Sequence, residues 1–546
     1  MTESSDESEI DDLITPRESR GLAGGKLRAE VRTLAGMAWQ VIVLRLCSNG
    51  ASFIATATVG QLGSDELAAS AYAWAVMNLS TSLYIDGVGS AMSTLTAQAV
   101  GARNGELAGL WLQTTLCACA AMAPAVALLW ASIGAILGAM PGVDGRVARL
   151  AGVYGRLSIC WLLPETCAQL LERWFVARQI VRPLLAVNVA YLCLTALANV
   201  ALVHGLPFLP WGLGFDGLGF EGAPLATGLC ACARALGVWG YACAWRKLHR
   251  GAWGGFDARG ALARERVRAF ARQALPAAVA PALEQAQFVL VTTWCGRLGT
   301  DALAAHAAML DLFMFATAGM YGFCDSCAAR VGAALGAGRP RAARTTFHAT
   351  LLSMVAMGAF VGALFVATRA EVGYLFSSDE SVRRHARSMA TLTGGFYVML
   401  CLLYSSIGAL EGQGRQGMIA GVMLVGSWGV ATPLCFALAF PGGYGLLGIW
   451  WGFVGGYGSI SLLLLLIVYL SDWPKLATKA RQRAEVATAA SRPPRDDGDG
   501  AHVPVAPKPP DAAAGPAAQA GSLNEPLLVA PHAQEDGAPC ADQESA

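Results

Sequence analysis

Charged residues are scarce in this sequence. Of its 546 residues, only 14% are Asp, Glu, Lys or Arg, whereas 55% are hydrophobic, and the mean hydropathy is +0.47. A soluble globular protein carries about 25% charged residues. This composition excludes an ordinary soluble domain and indicates a chain whose apolar surface lies in lipid.

Sequence motifs of enzymes are also missing. The 63 glycines are spread among apolar segments, and no Gly-Lys-Ser/Thr phosphate loop or nucleophile–base pattern is present. Most of the 15 cysteines lie scattered in apolar stretches, and the single CxxC pair, Cys324 and Cys327, offers too few ligands for a closed zinc site. We therefore predict no enzymatic activity, no cofactor and no metal centre.

The opening segment lacks the features of a secretory signal peptide. "MTESSDESEIDDLITPRESR" is acidic and polar, whereas a signal peptide begins with a basic region that leads into an apolar core. We expect the first spanning helix to direct insertion. Within this segment "EIDDLI" (Glu9 to Ile14) resembles an acidic dileucine sorting signal, so the sequence leaves both a vacuolar or other endomembrane and the plasma membrane open.

Long hydrophobic runs are abundant. Twelve of them are about 20 residues long, enough to cross a hydrocarbon core of about 30 Å, which predicts an all-α, polytopic membrane protein. The approximate spans are 35–58, 67–97, 109–137, 149–172, 183–204, 220–245, 270–295, 302–328, 346–368, 386–410, 417–439 and 445–470.

Basic residues predict the orientation of these spans. They concentrate before the first span, in every second connection, and after the last span, so these segments and both termini are predicted to be cytosolic. Topology thus explains the basic middle connection, and no nucleic-acid partner is predicted. The predicted organisation is a disordered N-terminus (1–33), a six-helix lobe (34–245), a cytosolic linker (246–268), a second six-helix lobe (269–472) and a disordered tail (473–546).

Two sequence segments occur once in each half. "GQLGSDELAASA", which begins at Gly60, returns as "GRLGTDALAAHA" at Gly296. "TAQAVGAR", which ends at Arg103, returns at nearly the same offset as "VGAALGAGR", which ends at Arg339. Each half has an even number of spans, so both insert the same way up, around an axis along the membrane normal. Two similar halves are typical of secondary transporters, which rock them about a site between them.

Four segments together resemble the multidrug and toxic compound extrusion (MATE) family, eukaryotic type. They are "GQLGSDELAASAYA", "GVGSAMSTLTAQAVGAR", "ARVGAALGAGRPRAAR" and "ALEGQGRQ", and their order and spacing fit the family from about residue 34 to 472. The resemblance implies a two-lobe antiporter of twelve helices. Such an antiporter exports cationic or polyspecific organic compounds in exchange for H⁺ or Na⁺.

The resemblance also implies a role for Glu284. The family has a glutamate on helix seven, eight residues after a proline, and Glu284 stands at that distance from Pro276. A carboxylate at mid-membrane depth normally faces a cavity or a partner and can hold either a proton or a cation. The alternative is a structural glutamate bonded to Gln287. At three positions where members of the family carry an acidic residue or a glutamine, this sequence has a different residue: Val289, Leu400 and Arg178.

Further intramembrane charges are candidates for ion coupling. Asp86 and Glu165 lie in the first half, where Arg45 could pair with either, and a static ion pair is the alternative to a coupling role. Asp311 in the second half could replace the carboxylate missing at Leu400. The remaining interior acidic and histidine residues are predicted to be structural: Glu172, Asp325, Glu411, His306 and His348.

Aromatic side chains could line a cavity for flat organic cations through cation–π contacts, although each could instead pack in a core or face lipid. The predicted cavity residues are Tyr72, Trp74, Tyr84, Gln287, Tyr397 and Tyr404. The sequence thus predicts a monomeric antiporter in the lipid bilayer, with an organic cation and H⁺ or Na⁺ as its partners. The alternatives are a lipid-linked oligosaccharide flippase of the same superfamily, or a membrane scaffold or receptor that works through its Pro-rich tail.

Overall fold

The computed structural model describes residues 23–140, 143–205, 215–371, 374 and 380–489. Each of the twelve predicted spans falls within one helical segment. Among the described residues, nine of these segments are long and apolar enough to be candidate spans; the second, fourth and sixth are not. The second, fourth and sixth segments carry charged side chains, among them Asp86, Glu165 and Arg234. The prediction of an all-α membrane protein with about twelve helices is confirmed.

Six helical segments form the first lobe. They are α1 (Ala23–Gly60); α2 (Ser64–Thr81 and Val88–Gly101, joined by the π-helical Ser82–Gly87); α3 (Gly105–Ala131, followed by Ile133–Gly138); α4 (Gly145–Ala177); α5 (Arg182–Asn199, continued by the π-helical Val200–His204); and α6 (Gly222–Val238, continued by the π-helical Trp239–Trp245). Most of their buried apolar side chains form one core, which includes Tyr84, Trp130, Trp161 and Trp174. A small separate cluster joins α5 to α6.

Six more form the second lobe. They are α7 (Arg264–Arg297), α8 (Thr300–Gly336), α9 (Pro340–Ala367), α10 (Glu380–Gln413), α11 (Gln416–Met423 and Thr432–Ala439, joined by the π-helical Leu424–Ala431) and α12 (Gly445–Tyr469). A separate core fills this lobe, with Phe313, Phe396, Trp450 and Phe453 at its centre. The linker contains a short helical turn, Ala258–Ala261.

Two predicted boundaries of disorder are wrong. Residues 473–489 form a further helix, α13 (Trp473–Ala489), whose buried side chains recur every three or four residues: Trp473, Ala477, Ala480, Ala484 and Ala487. Helix α1 begins at Ala23, inside the segment 1–33. Residues 1–22 and 490–546, which contain the rest of both predicted disordered segments, lie outside the described part of the chain.

Hydrogen bonds tie the basic connections to one another on one side of the molecule. Gln273 at the start of α7 donates to Gly414 O (3.0 Å), Arg483 of α13 donates to Gln413 O (3.1 Å), and Asn104 between α2 and α3 donates to Thr488 (2.7 Å). We call this side the basic face and the opposite one the far face. The basic face is the one that the sequence predicts to be cytosolic.

The two lobes meet most closely at the basic face, along α2 and α8. A Cβ atom on Gly101 would collide with the backbone of Ala333, and one on Gly336 would collide with that of Gln98. Gly101 and Gly336 are the matching glycines of the sequence repeat, so each half packs its glycine against the helix backbone of the other half. Glycine is required at both positions because two helix backbones touch there.

Hydrogen bonds between the lobes follow the same distribution. Glu30 of α1 pairs with Arg330 of α8 (2.8 Å) and accepts a hydrogen bond from Thr346 of α9 (2.6 Å), close to the basic face. Within the described residues, the side-chain hydrogen bonds that join the two lobes lie in the half of the protein nearer this face. The structure is therefore closed on the basic side.

Candidate functional site

Helix α7 brings the predicted coupling carboxylate, Glu284, to the boundary between the lobes. Pro276 and Pro281 lie inside this helix, and each removes a backbone donor and displaces the preceding turn. Between them Ala278 packs directly against Gly87, at the end of the π-helical segment of α2. Glu284 thus lies six residues, or about 9 Å along the helix, beyond the place where the two lobes cross.

One tyrosine hydroxyl contacts Glu284, and a second tyrosine hydroxyl contacts the first. Tyr404 of α10 donates to Glu284 Oε2 over 3.5 Å, a long hydrogen bond, and the Tyr404 hydroxyl lies 3.0 Å from that of Tyr321 on α8. The two rings meet edge to face with centroids 5.0 Å apart. Glu284 is therefore a half-buried carboxylate at one end of a chain of exchangeable hydroxyl protons.

Gln287 lies one helical turn further along α7, and it is fully buried. Its amide donates to Ser427 O (3.0 Å) and to the Thr432 hydroxyl (3.1 Å), and its carbonyl accepts from Tyr457 (2.8 Å). The π-helical turn of α11 presents the Ser427 carbonyl to this amide. Gln287 therefore joins α7 to α11 and α12 inside the second lobe. In the described structure its hydrogen bonds are all made within the second lobe, and none of them is to Glu284.

Arg45 pairs across the lobes, not within the first lobe as predicted. Its guanidinium lies 2.9 Å from Asp325 of α8 and stacks over the Tyr321 ring, 5.5 Å from the centroid. The chain of contacts from Glu284 through Tyr404 and Tyr321 thus ends at an ion pair between the lobes.

Asp86 has a different partner, Arg173 of α4, with which it forms a close ion pair inside the first lobe. A side chain at position 89 would collide with Arg173, so Gly89 leaves the space in which this arginine crosses α2. Asp86 ends the π-helical segment that packs on α7. The pair therefore lies next to the crossing of the two lobes.

Glu165 belongs to a buried triad. Arg234 of α6, only 4% exposed, donates to Glu165 (2.8 Å) and twice to Glu172 (2.5 and 3.0 Å). Asn188 of α5 also donates to Glu172 (2.8 Å), and the Arg234 guanidinium lies over the Tyr191 ring at 4.9 Å. Five groups on three helices thereby form one connected network, in which a single arginine contacts both carboxylates. The geometry is that of a static connection within the first lobe.

The predicted aromatic cavity is only partly assembled. Tyr84 and Tyr397 are buried and donate to backbone oxygens, those of Cys119 (3.1 Å) and Ala316 (2.9 Å). Tyr72 and Trp74 are exposed on α2, at 45% and 43%. Of the six predicted residues, Tyr404 is the one that contacts Glu284.

Asp311 lies in α8, but its side chain is outside the described part of the structure. His306 is buried beside Trp450 and within 3.4 Å of Thr292, away from Glu284. Among the described residues, no three His, Cys, Asp or Glu side chains lie close enough together to hold a metal ion. A carboxylate can hold a proton or, when it is ionised, attract a cation.

Sequence reasoning missed two arginines, Arg173 as the partner of Asp86 and Arg234 as that of Glu165. Arg234 stands in the apolar segment "GLCACARALG", and a lone charge in such a segment itself predicts a buried partner. Arg173 lies near the end of its helix, where membrane orientation alone explains a basic residue. Its position near a helix end concealed its second role.

Three comparisons with known proteins agree with this architecture. The sequence model of the MatE family matches residues 41–200 and 276–437, one segment in each lobe. Multidrug and toxin extrusion protein 1 of Danio rerio is 27% identical over 492 residues, which cover 88% of this chain and 81% of that protein. Protein DETOXIFICATION 14 of Arabidopsis thaliana is 29% identical over 479 residues, 86% of this chain and 94% of the relative. The crystal structure of the eukaryotic MATE transporter AtDTX14 is similar with a TM-score of 0.74 at 27% identity, over 84% of this chain and 100% of that one.

Proposed function

The chain belongs to the MatE family of multidrug and toxin extrusion transporters, and from this premise we propose that it exports organic cations in exchange for protons. The two lobes alternate between openings toward the basic face and toward the far face. The observation that carries the proposal is Glu284, a half-buried carboxylate near the crossing of the lobes whose contact is a tyrosine hydroxyl.

Competition for this carboxylate gives the coupling. With the basic side open, Glu284 loses its proton and the negative charge attracts a cationic substrate. The lobes then rock toward the state seen here, which is closed on the basic side. A proton that arrives from the far face neutralises Glu284 and releases the substrate. The cationic substrate binds the ionised carboxylate, whereas a bound proton leaves the group neutral. Proton and substrate therefore exclude each other at Glu284, which is the requirement for exchange.

Two geometric observations support protons over sodium as the coupling ion. The Glu284 contact is a phenolic hydroxyl, and Tyr404 leads on to a second hydroxyl at hydrogen-bond distance, that of Tyr321. Sodium needs several oxygen ligands around it, whereas the described surroundings of Glu284 offer proton donors. Asp86 and Glu165, which are engaged by Arg173 and Arg234, hold the first lobe together in this proposal.

Reconstituted protein tests the proposal. Proteoliposomes that contain the wild-type chain should accumulate a fluorescent organic cation under an imposed pH gradient and should not do so under a sodium gradient alone. Glu284→Gln keeps the size of the side chain and removes its charge, so the pH-driven accumulation should disappear. Glu106→Gln, an exposed carboxylate at the start of α3, is the matched control and should transport as the wild type does. Sodium-driven accumulation by the wild type would refute proton coupling.

A further inference from the structure

Helix α13 crosses the basic face from the second lobe to the first. The buried side chains of its first half, Trp473, Ala477 and Ala480, belong to the core of the second lobe. The two buried side chains near its end, Ala484 and Ala487, belong to the core of the first lobe. One helix of 17 residues therefore contributes to both cores, and we call it the strap.

The attachment of the strap to the second lobe is extensive. Only a short turn separates the strap from the end of α12, so the chain itself joins it to this lobe. The Trp473 ring packs near that of Phe347 on α9, with centroids 6.4 Å apart. Arg481 and Arg483 donate hydrogen bonds to the backbone oxygens that follow α8 and end α10, at 2.8 and 3.1 Å. An aromatic side chain and two guanidinium groups thus fix the first half of the strap.

The attachment of the strap to the first lobe is smaller. Two alanine methyl groups enter the core of that lobe, and the Thr488 hydroxyl accepts a hydrogen bond from the Asn104 side chain (2.7 Å). The Ala487 backbone oxygen accepts a hydrogen bond from Arg266 (2.8 Å), at the start of α7. This part of α7 packs on the first lobe, since Phe270 belongs to the core of that lobe. The attachment to the first lobe is therefore the one that gives way when the lobes separate.

We propose that the strap is a latch for the basic side: residues 473–483 stay with the second lobe, and residues 484–489 bind the first lobe only while this side is closed. Opening of the basic side carries the end of α2 away from the end of α8, and a rigid helix cannot remain against both. The smaller attachment is therefore released at each opening, so it stabilises the closed state. This inference rests on the proposed function for the rocking of the lobes, but not for its coupling ion or substrate.

Chemical labelling of a buried position between the lobes tests the proposal on the full-length protein in detergent. Thr94 of α2 is buried and donates to the Glu411 backbone oxygen of the second lobe (3.0 Å), a contact in which the strap takes no part. Thr94→Cys should therefore react with a water-soluble maleimide only when the lobes separate. Mass spectrometry of the peptide that contains position 94 measures this rate separately from the reactions of the native cysteines.

Two pairs of variants, each made in the Thr94→Cys background, compare the end of the strap with matched control positions. Ala487→Glu places a charge in the core of the first lobe and should raise the labelling rate about tenfold, the equivalent of about 1.4 kcal/mol. Val486→Glu, at an exposed position on the same turn, should not raise it. Thr488→Val removes the acceptor of the Asn104 hydrogen bond and should raise the rate about threefold, within the range of one hydrogen bond. Thr478→Val, at an exposed position whose hydroxyl bonds within the strap, should leave it unchanged.

A second reporter separates opening of the lobes from unfolding. Ser158 is buried inside the first lobe, so Ser158→Cys should be labelled no faster when Ala487→Glu is added. The same differences at position 94 should persist when Glu284→Gln is added, so a failure of proton coupling would leave this test intact. Equal labelling rates at position 94 within either pair of variants would overturn the proposal. An equal rise at position 158 would also overturn it, because the change would then be a loss of the folded first lobe.

Discussion

Replacing Arg234 with Met should destabilise the first lobe by about 3–5 kcal/mol, the cost of removing one partner from a buried ion pair. Arg234 is 4% exposed, and its two carboxylate partners, Glu165 and Glu172, are 13% and 9% exposed. The arginine makes three hydrogen bonds to them, at 2.5, 2.8 and 3.0 Å. Its loss leaves two carboxylates in a low-dielectric interior with no cation beside them.

The assay is the free energy of unfolding in mixed micelles, with Arg146→Met as the matched control. Arg146 is 62% exposed and lies 3.3 Å from Asp65 and 3.2 Å from Glu66, so this exposed pair should contribute at most about 1 kcal/mol. Adding Glu165→Gln and Glu172→Gln to Arg234→Met removes the uncompensated charges and should recover most of the loss. The reasoning is refuted if Arg234→Met costs no more than Arg146→Met, or if the triple variant is less stable than the single one.

Three further predictions follow from particular contacts. Tyr404→Phe removes the hydroxyl beside Glu284, so the initial rate of pH-driven uptake should fall by about three- to tenfold, the worth of one hydrogen bond. Tyr397→Phe removes a hydroxyl that contacts a backbone oxygen and should not change this rate. Equal rates in the two variants would contradict the prediction. Gly101→Ala places a methyl group against Ala333 of the other lobe, so deuterium exchange should rise in the peptides of α2 and α8 that contain these two residues. Gly138→Ala, whose added methyl group meets nothing within 4 Å, should leave it unchanged. Hydrogen bonds from Lys475 lower the pKa of Asp472. The stabilisation of α13 by Asp472 is therefore present above the ordinary carboxyl pKa and is lost as the pH falls through the lowered value. Deuterium exchange of the amides of 473–476 should rise over that acidic range in the wild type and be raised already at neutral pH in Asp472→Asn.

The helices of this protein could be predicted from hydrophobic runs because a spanning helix satisfies its own backbone and needs only apolar side chains over about 20 residues. Charged residues do not remove the signal when they are few, as in α7 and α8. The signal fails for α13, where alanine and basic residues dominate a segment next to a Pro-rich tail. Its buried positions, Trp473, Ala477, Ala480, Ala484 and Ala487, nevertheless recur at helical spacing, so periodicity could have identified the helix where composition suggested disorder.

The candidate site was predicted by residue type but not by pairing. Glu284 could be identified because an acidic side chain at mid-membrane depth requires an explanation. Its contact with Tyr404 could not, since the two residues lie 120 positions apart and only the packing of both helices, α7 and α10, against α8 brings them together. The same limit explains Arg45, which pairs with Asp325 of the second lobe instead of with an acidic residue of the first lobe, to which Arg45 belongs. Ion pairs between helices depend on rotation and depth, and the sequence specifies neither directly.

The central claim is that Glu284 couples the transport of an organic cation to protons, and it is tested most directly by comparing exchange with accumulation. Vesicles that contain Glu284→Gln and are preloaded with unlabelled substrate should still exchange it for labelled substrate in the absence of a gradient, because the lobes can still rock. The same vesicles should fail to accumulate labelled substrate under a pH gradient that drives accumulation in the wild type. Gradient-driven accumulation by Glu284→Gln at the wild-type level would contradict the account.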